Sequence, residues 1–163
     1  MDFCHRALGA PWPDVSDESV IAHTDLSTAT RLSTVDSMGT LRAMLPWPAA
    51  QRLDELAPER LRVPSGSLAK VDYGDPAAPV LAVKVQEAFG WSDTPRVGVG
   101  RVAVLLHLLS PAGRPVAVTR DLVSFWRTGY PQVRAELRGR YPRHPWPEDP
   151  AAATPTRRTN PRR

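Results

Sequence analysis

Val102-Ala103-Val104-Leu105-Leu106-His107-Leu108-Leu109-Ser110-Pro111-Ala112-Gly113-Arg114-Pro115-Val116-Ala117-Val118-Thr119-Arg120-Asp121-Leu122-Val123-Ser124-Phe125-Trp126 is the stretch on which the fold turns. Its first eight residues are apolar on both faces of an extended chain, interrupted only by His107, which predicts a central strand. Ser110 to Arg114 is a turn, and Pro115 to Val118 returns as the partner strand of a hairpin. Thr119 then stands where a helix cap belongs. Asp121 falls in the first turn, where the helix dipole favours an acid. Leu122, Phe125 and Trp126 make one inner stripe. His107 shares a face with Leu105 and Leu109, which suits a core histidine better than a catalyst.

Downstream, Gly129 interrupts the helix and Pro131 is placed to start a second one. Val133 and Leu137 then face inward, Arg134 and Arg138 lie together at i, i+4, and Pro142 bars continuation. Upstream, Val80–Gln86 reads as a strand with Leu81, Val83 and Val85 on one face and Val80, Ala82 and Lys84 on the other. Glu87 to Gly90 reads as one helical turn closed by glycine. Ala69–Tyr73 predicts another strand, and Val63-Pro64-Ser65-Gly66 a short strand entering a turn. Before these, Leu41, Met44 and Leu45 keep helical spacing. Pro46 and Pro48 break it, and Ala49–Ala57 resumes it with Leu53 and Leu56 inward. Residues 1–18 read as an extended lead-in, with Ser16 placed to start a short helix.

The fold class is therefore α+β: a small antiparallel sheet with packed helices and a basic, proline-rich C-terminal tail. Leu, Ile, Val and Phe number 8 in residues 1–40, 28 in residues 41–137 and none in residues 138–163. The core is thus expected from the middle. The expected organisation is a weakly ordered lead-in and connector over 1–40, a folded domain over 41–150 and a disordered basic tail over 151–163.

Charge is distributed as unevenly. Residues 1–60 hold 5 arginines against 9 acids, and the rest hold 16 basic residues against 8 acids. Nineteen of the 21 basic residues are arginine, which binds phosphate bidentately and stacks on bases. A solvated basic face is the competing explanation. One cysteine, Cys4, permits no internal disulfide and fits a reducing cytoplasm. The chain begins without an apolar segment of the signal-peptide kind. Its longest apolar run is too short for a bilayer, so no membrane partner is expected. His5, His23, His107 and His144 lack the spacing of metal ligands.

Several runs recur together in one order: Leu53-Asp54-Glu55-Leu56-Ala57-Pro58, Val63-Pro64-Ser65-Gly66, Gln86-Glu87-Ala88-Phe89-Gly90, Thr94-Pro95-Arg96, Leu109 through Trp126, Arg138-Gly139-Arg140-Tyr141-Pro142-Arg143-His144-Pro145-Trp146-Pro147-Glu148-Asp149-Pro150, and Pro155-Thr156-Arg157-Arg158. Over about residues 41–163 the sequence resembles the C-terminal region of the HrpB family of bacterial ATP-dependent helicases of the DEAH type. The resemblance is weakest at 19–38, which in that family is a helical connector. It implies that this chain corresponds to the end of a longer enzyme acting on RNA or another nucleic acid. It further implies that ATP and magnesium bind motor domains lying outside it.

The motor's own signature is missing from the sequence. A helicase ATPase needs G-x-x-x-x-G-K-[ST], whose amides cradle phosphates while the lysine reaches them. Lys70 and Lys84 are the only lysines, and neither follows a glycine. Asp54-Glu55 has the look of a DExx box but sits in an amphipathic helical pattern ended by Pro58. No cofactor is therefore expected in this chain, and no catalytic residue.

The candidate nucleic-acid contacts are Arg127, Arg134, Arg138, Arg140 and Arg143, interleaved with Tyr130, Tyr141 and Trp146. Stacking rings beside cationic side chains suit a single strand. The alternative is that Trp126, Tyr141 and Trp146 anchor a core while the arginines pair with Glu136, Glu148 and Asp149. Arg114, in the hairpin turn, is placed either to touch RNA or to dock a neighbouring helicase domain. Arg157-Arg158 and Arg162-Arg163 are placed to add unspecific phosphate affinity. Three roles remain in play: an accessory domain to motor domains in cis or in trans, an independent RNA-binding module, and an interaction scaffold or truncated helicase remnant.

Overall fold

The computed structural model describes residues 1–27, 31, 33 and 35–159. The chain opens with helix α1 (Asp2–Leu8) and helix α2 (Asp17–His23), the latter capped by the Ser16 hydroxyl, which accepts from the Ser19 amide. Helix α3 (Ser37–Met44) follows, and its partner splits into two single turns, α4 (Trp47–Ala50) and α5 (Leu53–Leu56). The strands are β1 (Arg60–Arg62), β2 (Leu68–Asp72), β3 (Val80–Lys84), β4 (Arg96–Val97), β5 (Val102–Ala103), β6 (Leu105–Leu109) and β7 (Pro115–Thr119). One turn of helix, α6 (Val85–Ala88), follows β3 directly. The chain then closes with α7 (Leu122–Ser124), a π-helical turn over Phe125–Gly129, and α8 (Tyr130–Arg140).

The main sheet has the order β1-β2-β3-β6-β7, and β4 and β5 form a separate two-stranded ribbon. All pairs are antiparallel except β3 with β6, which run parallel from Val80 opposite Leu105 to Lys84 opposite Leu109. The sheet is thus mostly, not wholly, antiparallel. A parallel neighbour needs a crossover of a dozen or more residues, and residues 85–104 supply it. They carry α6, the ribbon and the buried Val104, whose amide donates to the Pro95 carbonyl at 3.0 Å. That crossover also explains why Val102–Leu109 is two strands rather than one. Its first two residues belong to the ribbon and its last five to the sheet.

The core matches the sequence stripes along its middle. Leu81 and Val83 are buried from one face of β3, Val85 from the first position of α6, and Leu106 and Leu108 from β6. Leu122, Phe125 and Trp126 join from the last helical segment. The helix cap differs from the expected one. Asp121 Oδ1 accepts from the Ser124 amide at 2.8 Å, while Thr119 Oγ1 accepts from the Asp121 amide at 3.0 Å. Thr119 thus holds the cap instead of being it. The helical path is not broken at Gly129; it widens into the π turn, and a Cβ there would sit 2.7 Å from Cδ2 of Phe125.

The core also extends beyond the middle of the chain. Phe3, Cys4 and Trp12 are buried within it, and the Phe3 ring lies 5.0 Å from that of Tyr73. Residues 2–8 are therefore helical rather than extended. This helix has no side-chain cap and only two turns, so packing of Phe3 and Cys4 holds it rather than local propensity. At the other end the chain after α8 crosses back over the domain. The Gly90 amide donates to the Pro150 carbonyl and the Thr156 amide to the Gln86 carbonyl, each at 3.0 Å. The expectation for Arg162 and Arg163 falls outside the described residues.

Candidate nucleic-acid interface

The arginine cluster rides on the segment from the π turn to the chain beyond α8. Its position is fixed by aromatic packing underneath. Trp126 and Tyr130 meet edge to face at 5.5 Å, and Phe89 lies 6.1 Å from Trp126 and 5.9 Å from Tyr130. Their polar atoms are also engaged inside the protein. Trp126 Nε1 donates to the Trp91 carbonyl at 2.9 Å, and the Tyr130 hydroxyl to the Pro147 carbonyl at 3.0 Å. Trp146 Nε1 donates to the Tyr141 carbonyl at 3.0 Å. Burial pushes the Tyr130 phenol up to about 12, with Arg134 opposing weakly. Trp126 and Tyr130 are buried and anchor the fold, while Tyr141 and Trp146 are half-buried.

The six expected contacts divide. Arg134 is turned inward. Its Nε donates to the Trp146 carbonyl at 2.8 Å, and its Nη2 reaches Glu148 at 3.4 Å. It pins the segment after α8 to the helix, and of the acid pairings expected from sequence only this one forms among the described residues. Arg127 is exposed and lines a groove of about 480 Å³ beside Trp126, Val123 and Pro131, across from Glu148 and Asp149. Arg138, Arg140 and Arg143 are exposed at the end of α8 and just beyond. Arg114 is exposed at the tip of the β6–β7 hairpin, on another element altogether.

Arg140 and Arg143 are brought together. They line a notch of about 260 Å³ with Tyr141, Pro142, His144 and Thr159. The Arg140 guanidinium lies over the Tyr141 ring, 5.8 Å from its centroid, and the His144 ring meets Tyr141 edge to face at 6.2 Å. The His144 imidazole is held below its ordinary value, first by burial and then by the positive charges of Lys84 and Arg143. Lys84 and His144 were missed as partners of this cluster. Lys84 is remote in sequence, at the end of β3, and His144 has no metal-ligand spacing, so neither left a local signal.

Other sequence features are structural. Asp54 and Glu55 are exposed on α5, and Glu55 pairs with Arg52 at 3.3 Å. His107 is half-buried on β6, paired in register with Ala82 and Val118. Among the described residues no three His, Cys, Asp or Glu side chains converge as metal ligands, and no helix is long and apolar enough to cross a membrane.

Fold and surface together define a small α+β domain with Arg138, Arg140 and Arg143 exposed at the end of α8 and just beyond it. Residues 20–150 match the family model described as ATP-dependent helicase C-terminal, and the chain belongs to this HrpB C-terminal family. It is 43% identical over 157 residues to the ATP-dependent RNA helicase HrpB of Escherichia coli strain K12, covering 91% of this chain and 19% of that protein. A crystal structure of the E. coli DExH-box NTPase HrpB superposes with a TM-score of 0.81 at 41% identity, over 96% of this chain and 20% of that one. A crystal structure of the Escherichia coli DEAH/RHA helicase HrpB gives 0.65 at 37% identity, over 88% of this chain and 19% of that one. This chain thus spans about a fifth of the length of the relatives it matches.

Proposed function

We propose that this chain is a non-catalytic accessory domain of an HrpB-type ATP-dependent RNA helicase, working in the cytoplasm. It braces the motor domains and lends them a basic face toward nucleic acid. ATP and magnesium bind the motor domains, in cis or in trans, since this sequence carries no phosphate-binding loop. The observation that carries the reading is the exposure of Arg138, Arg140 and Arg143, together with Arg127, on one segment of a helicase-family domain. Arg134 serves that segment by anchoring it, and Arg114 extends the basic surface from the hairpin tip.

The bracing half of the reading is supported by a mainly apolar groove of about 540 Å³ lined by Met1, Val15, Val20, Ile21 and Leu41, with Asp2 and Asp17 also on its wall. Ile21 stands 60% exposed there, where a neighbouring motor domain would cover it. The nucleic-acid half is tested by fluorescence anisotropy of a labelled oligo-uridine against the purified chain across a salt series. Each neutralised phosphate of a single strand contributes about −0.7 to the slope of log K against log salt, so four exposed arginines give a slope of about −3. Absence of binding at low ionic strength contradicts it.

A further inference from the structure

We infer that the notch between the end of α8 and the returning chain is a nucleotide seat. It holds one base–phosphate unit of single-stranded nucleic acid. The inference rests on the accessory-domain reading and assigns its contact to one place.

Three observations converge on the notch. First, it has a shape suited to one ring. At about 260 Å³ it lies just below the 300–1,000 Å³ typical of small-molecule sites, enough for a single planar group. Second, it presents flat cationic and aromatic surfaces. The Arg140 guanidinium carbon lies 5.8 Å from the Tyr141 ring centroid, His144 meets the same ring edge to face at 84°, and all three side chains line the notch. Bases stack on guanidinium planes and aromatic rings whatever their identity. Third, its electrostatics are of one sign. Arg140 and Arg143 line it, Lys84 and Arg143 both act on His144, and no acid lines it among the described residues. The groove around Arg127 differs on this point, because Glu148 and Asp149 face it and would repel a phosphate.

The returning chain completes the seat. Its main-chain hydrogen bond from Thr156 to Gln86 tethers the chain three residues before Thr159, which stands on the notch wall. Arg157 and Arg158, both exposed, lie immediately before it. In this arrangement Arg143 and Arg140 meet the phosphate, the Tyr141 ring carries the base, and Lys84 adds longer-range attraction from the end of β3.

The test uses the whole 163-residue chain with labelled oligo-uridine, read by anisotropy over a salt series. Arg140→Gln and Arg143→Gln should each lower the salt slope by about 0.7. Tyr141→Leu should weaken binding roughly fivefold or more, and Tyr141→Phe should restore it. Arg52→Gln, which removes the same charge just before α5, should leave the slope unchanged. The His144 ring proton resonances should move on titration with the oligonucleotide. If the unaltered chain binds but the notch variants match Arg52→Gln, the seat is refuted while the accessory-domain reading stands. If the unaltered chain does not bind at low ionic strength, both fall. Displacement of the RNA by a poly-glutamate peptide of equal charge at equal concentration would assign the notch to acidic protein and overturn the inference.

Discussion

Replacing Gln86 by methionine should stabilise the protein. Gln86 lies on α6, 3% exposed, with neither Nε2 nor Oε1 of its amide hydrogen-bonded among the described residues. Its main chain is engaged, since its carbonyl receives the Thr156 amide, so a side-chain change leaves that tether in place. Burying an amide without partners costs about 1–3 kcal/mol on mutational scales. Methionine has nearly the same length and volume, so it removes that penalty without opening a cavity. The expected gain is therefore about 1–3 kcal/mol. For a chain of this size each kcal/mol moves Tm by roughly 2–4 °C, giving a rise of about 2–12 °C. Gln86→Ala should act in the opposite direction, because the lost methylenes leave a void in the core. Urea unfolding followed by circular dichroism measures both variants, with the slope m expected to stay constant. A destabilised Gln86→Met would refute the reasoning and mean that the amide is satisfied in solution.

Other consequences follow from the same packing. Phe89, fully buried between Trp126 and Tyr130, should cost about 3–5 kcal/mol when changed to alanine, measured by urea unfolding. Asp121→Ala removes the cap on α7 and should cost about 0.5–2 kcal/mol, whereas Thr119→Ala should cost less, which separates the two roles in the same assay. Tyr73 and Tyr130 are both pushed up to about 12 by burial. An acid raised on folding keeps its full contribution below the unfolded value near 10 and loses it as pH climbs toward 12. Stability should therefore fall across that window, and ultraviolet titration of the folded chain should show two phenols ionising near its upper end.

Sequence patterns carried the middle of this fold because burial there is periodic. β3 alternates strictly, β7 follows a proline–glycine turn, and the inner stripe of Leu122, Phe125 and Trp126 has helical spacing. Patterns failed where tertiary contact decides. Nothing local makes Asp2–Leu8 a helix; Phe3 and Cys4 hold it by packing against residues far along the chain. Nothing local makes β3 and β6 parallel either, since a strand's direction depends on the length and path of the crossover. The arginine cluster was legible as composition, but its division was not. Arg134 differs from Arg138 only through Trp146 and Glu148, which the returning chain brings to it. The same return brings Thr159 to Arg140 and Arg143 and leaves no periodic signal.

The central claim is that this chain supports a helicase without powering one. The most direct measurement is phosphate release by the purified chain with ATP, magnesium and single-stranded RNA, assayed fraction by fraction across a gel-filtration peak. The account predicts no turnover above the blank under the protein peak. Hydrolysis that tracks the chain through the column and is stimulated by RNA would contradict it.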